Sequence, residues 1–225
     1  MYMHQQSSPL RGQIYQRFTK RLMDVVLSLV LIIIFGIPAI IIAILIKLSS
    51  EGPIFADVPE RIGQHGRRFK MYKFRSMVQN AHIMLRTDPQ LKELYEEYKK
   101  GSYKLQNDPR ITTIGKFIRK HSLDELPQIL NVLHGDMSLV GPRAYYPDEL
   151  ENQQNEYPHA KKLVNKVLSV KPGITGLWQV SGRSEIHFDE RIIIDARYVE
   201  RISLINDFII IARTPLIMLT GKGAI

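Results

Sequence analysis

The chain has 225 residues, a mass of 26.0 kDa and 44% apolar residues, enough to bury the core of one domain, which excludes a disordered tail protein. With 31 Lys and Arg against 22 Asp and Glu, the net charge is +9 and the pI is near 9.7, so the expected partners carry phosphate: nucleotides, nucleic acid or anionic lipid. There are no cysteines, which excludes disulfides, thiol nucleophiles and thiolate metal sites.

The first element is Val25–Ile46, a run of 22 residues without a charge, interrupted by Ser28, Gly36 and Pro38. It is longer than the apolar core of a signal peptide, and Lys47-Leu48-Ser49-Ser50-Glu51-Gly52-Pro53 offers no small-x-small cleavage site. It therefore reads as an uncleaved membrane anchor. As one straight helix it would reach about 33 Å, just enough for a hydrocarbon core of about 30 Å. Pro38 removes a backbone hydrogen bond and predicts a break near Gly36-Ile37-Pro38, leaving arms of about 13 and 9 residues, neither long enough to span. Arg11, Arg17, Lys20 and Arg21 precede the run and Lys47 and Arg61 follow it, which for a true span favours a cytoplasmic N-terminus. Basic residues at both ends suit entry and exit on one face equally well. The residues alone leave a re-entrant hairpin and a kinked single span open. The chain divides into a basic segment 1–24, a membrane helix 25–48 and a domain 49–225.

Residues 54–78 are expected to form short strands around turns at Gly63 and Gly66. They end in Phe69-Lys70-Met71-Tyr72-Lys73-Phe74-Arg75, with one face buried and the other cationic. Asp88-Pro89 opens a helix through Leu91, Leu94, Tyr95 and Tyr98 that stops at Gly101. Asp108-Pro109-Arg110 makes a turn, and Ile114, Phe117 and Ile118 have helical spacing. In Ser122-Leu123-Asp124-Glu125-Leu126-Pro127, a capping box with Ser122 as N-cap would put Pro127 at the fifth helical position, where its missing N–H is costly. With Asp124 as N-cap, Pro127 falls where no intrahelical N–H is needed, and a helix Leu126–Leu133 begins at the acidic pair. The positive helix end, with Arg119 and Lys120 nearby, would then keep Asp124 ionised at neutral pH. A fixed, ionised aspartate suits attack on phosphorus, and Glu125 beside it suits a divalent ion.

Asp148, Glu149, Glu151 and Glu156 read as a solvated acidic cluster. Trp178 reads as a packing residue, and neither His121 nor His134 is given a role as base. Ile202–Leu219 is apolar at helical intervals, broken by Asp207, Arg213 and Thr214-Pro215, and reads as an amphipathic helix at the membrane interface.

Asp108-Pro109-Arg110-Ile111-Thr112, Ser122-Leu123-Asp124-Glu125-Leu126-Pro127-Gln128, Asn131-Val132-Leu133 and Gly135-Asp136-Met137-Ser138-Leu139-Val140-Gly141-Pro142-Arg143 together resemble the bacterial sugar transferase family, the monotopic phosphoglycosyl transferases. The resemblance extends to Lys20, Arg21 and Asp24, to Ser50, Gly52 and Pro53, to Arg61 and Gly63, and to Tyr72-Lys73-Phe74-Arg75-Ser76-Met77. It continues through Lys171-Pro172-Gly173-Ile174-Thr175-Gly176-Leu177-Trp178-Gln179-Val180-Ser181-Gly182-Arg183, then Asp195, Tyr198, Val199, Ser203 and Asp207.

What the resemblance implies is a small mixed α+β catalytic domain with an N-terminal re-entrant membrane hairpin broken near Pro38 and interfacial amphipathic helices. The domain would lie on the cytoplasmic face of the bacterial inner membrane. The reaction implied moves a sugar 1-phosphate from a UDP-sugar to polyprenyl (undecaprenyl) phosphate, releases UMP and starts a surface glycan. It runs through a phosphosugar-aspartyl intermediate with Mg2+. Asp124 matches the nucleophile and Glu125 its partner for the metal or for orientation.

Arg119 and Arg143 match phosphate- and nucleotide-binding arginines. Lys73 and Arg75 are favoured within a stretch from Arg61 to Arg75 that has six basic residues and no acid. Arg183 is a further candidate, and Asp195 and Asp207 are candidates for touching the nucleotide-sugar or bracing the arginines. Such cations suit the charge that builds on a leaving nucleotide phosphate. Two departures stand out: Pro142-Arg143-Ala144 lacks the family's second proline, and Pro59 stands where glutamine is common. Longer relatives carry extra N-terminal membrane helices, so the chain is expected to be a minimal catalytic form; nucleic acid drops out as a partner, and a homo-oligomer stays open. Two rivals remain: a non-enzymatic lipid-binding module, which leaves the Asp-Glu and Gly-Pro-Arg motifs without purpose, and a conventional glycosyltransferase, which would release UDP.

Overall fold

The computed structural model describes residues 15–100, 105, 107–182 and 186–220. A short π-helical turn, Tyr15–Thr19, leads into helix α1, Lys20–Ser49. The break expected near Pro38 is not an interruption: α1 runs through it as one helix of 30 residues. Proline removes a single ladder bond, which bends a helix without ending it. The two ends of α1 are fastened to the rest of the molecule. Near its start, Asp24 accepts from Ser138 Oγ and Leu139 N–H at 3.0 Å each, and the Arg21 guanidinium donates to the carbonyls of Val132 and Leu133. Near its end, Ile42 and Ile46 are buried with Phe74 and Ile118. No residue between Ser28 and Ile42 is buried, and Ile33 and Ile37 are 81% and 72% exposed.

The expected short strands are present. β1, Arg61–Ile62, pairs antiparallel with β2, Arg68–Phe69, across the Gly63 and Gly66 turns, and Phe55 bridges to Phe74. After α2, Ala81–Thr87, Asp88 caps the turn Pro89–Leu91 by accepting from Gln90 N–H, and α3 follows at Lys92–Lys100. The stop expected at Gly101 lies outside the described residues. Leu91, Leu94, Tyr95 and Tyr98 close a small core with Leu85, Leu105 and Tyr146.

Helix α4, Thr113–Lys120, is capped by Thr112, which accepts from Gly115 N–H. Gly115 lies directly against the Ser76 carbonyl, leaving no room for a Cβ. Helix α5, Gln128–His134, leads to β3, Ser138–Val140, which pairs in parallel with β4, Gly173–Thr175. The backbones of Gly141, Gly173 and Gly176 touch where the chain leaves this pair, and a side chain on any of them would collide. Between β3 and β4 lie α6, Pro147–Glu156, and α7, Lys161–Val167; after β4 come α8, Leu177–Ser181, α9, Phe188–Glu200, and α10, Leu204–Thr220.

The main core gathers Val132, Met137, Leu139, Val140, Tyr198 and Ile210; a second gathers Tyr145, Val164, Phe188, Ile192 and Ala196. The architecture is mixed, mostly helical, with two short strand pairs. α10 buries Asp207 and Ile210 and exposes Ile205, Phe208, Ile209, Leu216 and Leu219, an amphipathic pattern as expected.

Candidate active site

A cavity of about 410 Å3 collects Lys73, Arg119, Asp124, Glu125 and Arg143, the residues on which the motifs converge. Asp124 and Glu125 sit in a 3-10 turn, Leu123–Glu125, and neither expected cap forms. Ser122 is left-handed (φ 54°) and makes no side-chain capping bond. Pro127 itself holds the N-cap position of α5, where no N–H is required of it. The acidic pair therefore stands one turn ahead of the helix, and Asp124 does not draw its charge stabilisation from a helix end. Burial instead pushes its carboxyl above the ordinary carboxylate range, Lys73 and Arg119 pull it back, and Glu125 adds to the rise. The sequence pointed to the cations that favour ionisation and not to the burial that opposes it.

Lys73 faces the pair: its Nζ donates to Glu125 Oε1 at 2.6 Å and lies 3.7 Å from Asp124 Oδ2. The lysine is held there by the backbone beside it, since Phe74 N–H donates to the Asp124 carbonyl at 2.9 Å. Arg143 is fixed from three sides. Its backbone N–H donates to Asp195 Oδ2 at 3.1 Å, its Nε lies 3.7 Å from Glu149 Oε1, and its guanidinium is 5.4 Å from the Trp178 ring centroid.

The other candidates are placed differently. Arg75 borders the cavity, yet its Nε donates to the Pro53 carbonyl at 2.6 Å, and its Nη groups to Ser50 Oγ and Ser50 O at 2.9 Å each. It closes the C-terminal end of α1 onto the pocket rim. Asp195 lies behind Arg143 and also accepts from Tyr145 Oη at 3.1 Å; burial pushes its carboxyl up to about 7. Asp207 is absent from the cavity wall: it accepts from Tyr15 Oη at 2.7 Å and Tyr198 Oη at 2.9 Å and pairs with Lys20. It anchors the start of α1 and touches none of these arginines. Arg183 lies outside the described residues. Pro38 sits in the exposed middle of α1, and His121 and His134 do not line the cavity.

Several wall and support residues escaped the sequence reading. Glu149 is not solvated: it is fully buried, accepts from Arg191 Nη2 at 2.9 Å and receives the Tyr146 N–H at 3.3 Å. Glu149 at the third helical position reaches back to the N–H of the N-cap residue Tyr146, and Pro147 occupies the first helical position; proline and glutamate at that spacing were a local helix-start signal. Trp178 is packed, as expected, and also forms cavity wall. Arg61 and Gln128 line the cavity too.

Asp57 and Asp108 also lie on the wall; Asp108 is engaged by Arg110 through two N–H groups at 2.8 and 2.6 Å, while Asp124 and Glu125 are the adjacent carboxylates, as the mode of holding a cation with two neighbouring acids requires. No cluster of three or more His, Cys, Asp or Glu suited to a metal occurs among the described residues. Mg2+ is commonly held by one or two carboxylates with substrate phosphates completing its shell, and this donor set fits that mode.

Residues 15–221 match the family described as Bacterial sugar transferase. An undecaprenyl-phosphate galactose phosphotransferase of Salmonella typhimurium is 43% identical over 212 residues, covering 92% of this chain and 42% of that protein. A UDP-glucose:undecaprenyl-phosphate glucose-1-phosphate transferase of Escherichia coli K12 is 35% identical over 222 residues, covering 96% and 43%. The exopolysaccharide production protein ExoY of Rhizobium meliloti is 40% identical over 209 residues, covering 91% and 87%. The chain thus spans less than half the length of the first two and most of the third.

Proposed function

Because the chain belongs to the bacterial sugar transferase family, we propose that it moves a sugar 1-phosphate from a UDP-sugar to polyprenyl phosphate, releasing UMP, as the first step of a surface polysaccharide. The observation that carries this reading is the buried Asp124 beside Glu125, both within 4 Å of Lys73, in a cavity whose wall also carries Arg61, Arg119 and Arg143. A carboxylate oxygen of Asp124 attacks the sugar-bearing phosphorus, and the bond from that phosphorus to the bridging oxygen breaks, with its electron pair leaving on UMP. An oxygen of polyprenyl phosphate then attacks the same phosphorus and frees the Asp124 carboxylate. Neither attack requires a protein base, in keeping with a cavity wall that lacks His121 and His134.

Lys73 holds Glu125 and offsets the charge of the ionised Asp124, while Arg119 and Arg143 face the charge developing on the departing phosphate. Mg2+ held by Asp124 and Glu125 would supply further neutralisation of the diphosphate. Since burial raises Asp124, its ionised fraction, and with it the rate, falls as pH drops through the raised value.

The membrane reading is re-entrant, on the cytoplasmic face of the inner membrane. It is supported by α1 being tied to the domain at Asp24 and at Ile46 with no buried residue between Ser28 and Ile42, and by the exposed apolar face of α10. The test of the reaction is the nucleotide released when detergent-solubilised protein meets Mg2+, polyprenyl phosphate and a panel of UDP-sugars. UMP is expected; UDP would make the protein a conventional glycosyltransferase.

A further inference from the structure

Four arginines are buried among the described residues: Arg61, Arg75, Arg110 and Arg191. A guanidinium taken out of water needs acceptors for its five donors and a counter-charge. Arg110 has Asp108, Arg191 has Glu149, and Arg75 has the carbonyls and hydroxyl at the end of α1.

Arg61 differs from all three. It is 6% exposed, and its guanidinium makes one hydrogen bond among the described residues, Nη1 to the Ala144 carbonyl at 3.1 Å. Its Nε is buried without an acceptor, and it forms no ion pair among the described residues. One guanidinium face lies 3.2 Å from the centroid of the Tyr146 ring, so the plane is fixed and its edge is left for an in-plane acceptor. Arg61 lines the same cavity as Asp124 and Arg143. Nearby His82 is no counter-charge: burial, with Arg61 and Arg110 next in effect, pushes it down to about 4.

The surroundings also tie Arg61 to Arg143. Ile62 N–H donates to the Tyr145 carbonyl at 2.9 Å, so β1 is stitched to the segment that carries Arg143. Arg61 holds the carbonyl of Ala144, the residue standing where the second proline of the motif is absent, and so supplies rigidity that the proline would have given.

We propose that Arg61 is a phosphate-binding residue of this cavity, its free guanidinium edge taking a substrate phosphate oxygen alongside Arg143. The inference rests on the transfer reaction proposed above. The phosphate belongs either to the nucleotide or to the lipid carrier, and the two sources are separable. The solubilised full chain is titrated with UMP and with uridine by calorimetry, as wild type, Arg61→Met and Arg61→Lys, and the KM for polyprenyl phosphate is measured for each.

For a nucleotide phosphate, the preference of wild type for UMP over uridine drops by about tenfold or more in Arg61→Met, uridine affinity stays, and Arg61→Lys falls between. An intact UMP preference with a polyprenyl phosphate KM raised about tenfold, and an unchanged UDP-sugar KM, assigns the site to the lipid phosphate. If UMP and uridine weaken by one common factor in both variants, Arg61 only supports Tyr146 and the proposal fails; it fails equally if preference and KM both stay at wild-type levels. A wild type that binds neither UMP nor UDP-sugar would instead refute the transfer reaction before any variant is made.

Discussion

Lys73 does more at the acidic pair than add one cation to a basic pocket. It is the strongest influence holding the Asp124 carboxyl down against its burial, and it lies against both carboxylates. Replacing it as Lys73→Met should move the acid limb of the pH–rate profile to higher pH, because Asp124 then needs more alkaline conditions to ionise. An acid limb unmoved by the substitution would contradict this role. Asp195 gives a prediction of stability rather than rate. Its carboxyl is raised from an ordinary 3.8 to about 7, so the folded state favours the protonated form. That contribution is fully present below about pH 4 and is lost as pH rises through about 7. The melting temperature of wild type should therefore fall relative to Asp195→Asn across that window, and a constant difference between the two would show that the carboxyl does not titrate there.

Close backbone approach controls how the elements assemble. α4 can lie on the segment that carries Lys73 and Ser76 because Gly115 presents no side chain to the Ser76 carbonyl. Gly115→Ala should cost about 1–3 kcal/mol in chemical denaturation, as overpacking does, and should also weaken activity, since α4 ends at Arg119. A variant as stable as wild type would show that the contact relaxes freely. The elements also mark where sequence pattern was sufficient. The Asp88 cap, the spacing of Ile114 and Ile118, and the Gly63 and Gly66 turns act locally, and each is realised. Pro127 argued correctly against the Ser122-x-x-Glu125 capping box, but the alternative cap at Asp124 does not form either: Pro127 itself is the N-cap of α5.

For the molecule as a whole, the divided charge pattern of the sequence becomes an apolar helix fastened at both ends and a basic cavity beside it. Arg119, Asp124, Glu125 and Arg143 were legible because they lie in contiguous motifs. Glu149 and Arg61 were not, because their roles arise from contacts distant in sequence: Arg191 on α9 buries Glu149, and the Tyr146 ring covers Arg61. The absence of cysteine makes topology directly testable. Thr19→Cys and His159→Cys, both at exposed positions, should label from one face of the membrane if α1 is re-entrant, and from opposite faces if it spans. The most direct test of the reaction itself is intact-protein mass spectrometry after mixing with UDP-sugar and Mg2+ in the absence of polyprenyl phosphate. A mass increase of one sugar phosphate, carried on the peptide containing Asp124 and lost in Asp124→Asn, is expected; an unmodified protein that nevertheless turns over with full activity as Asp124→Asn would contradict it.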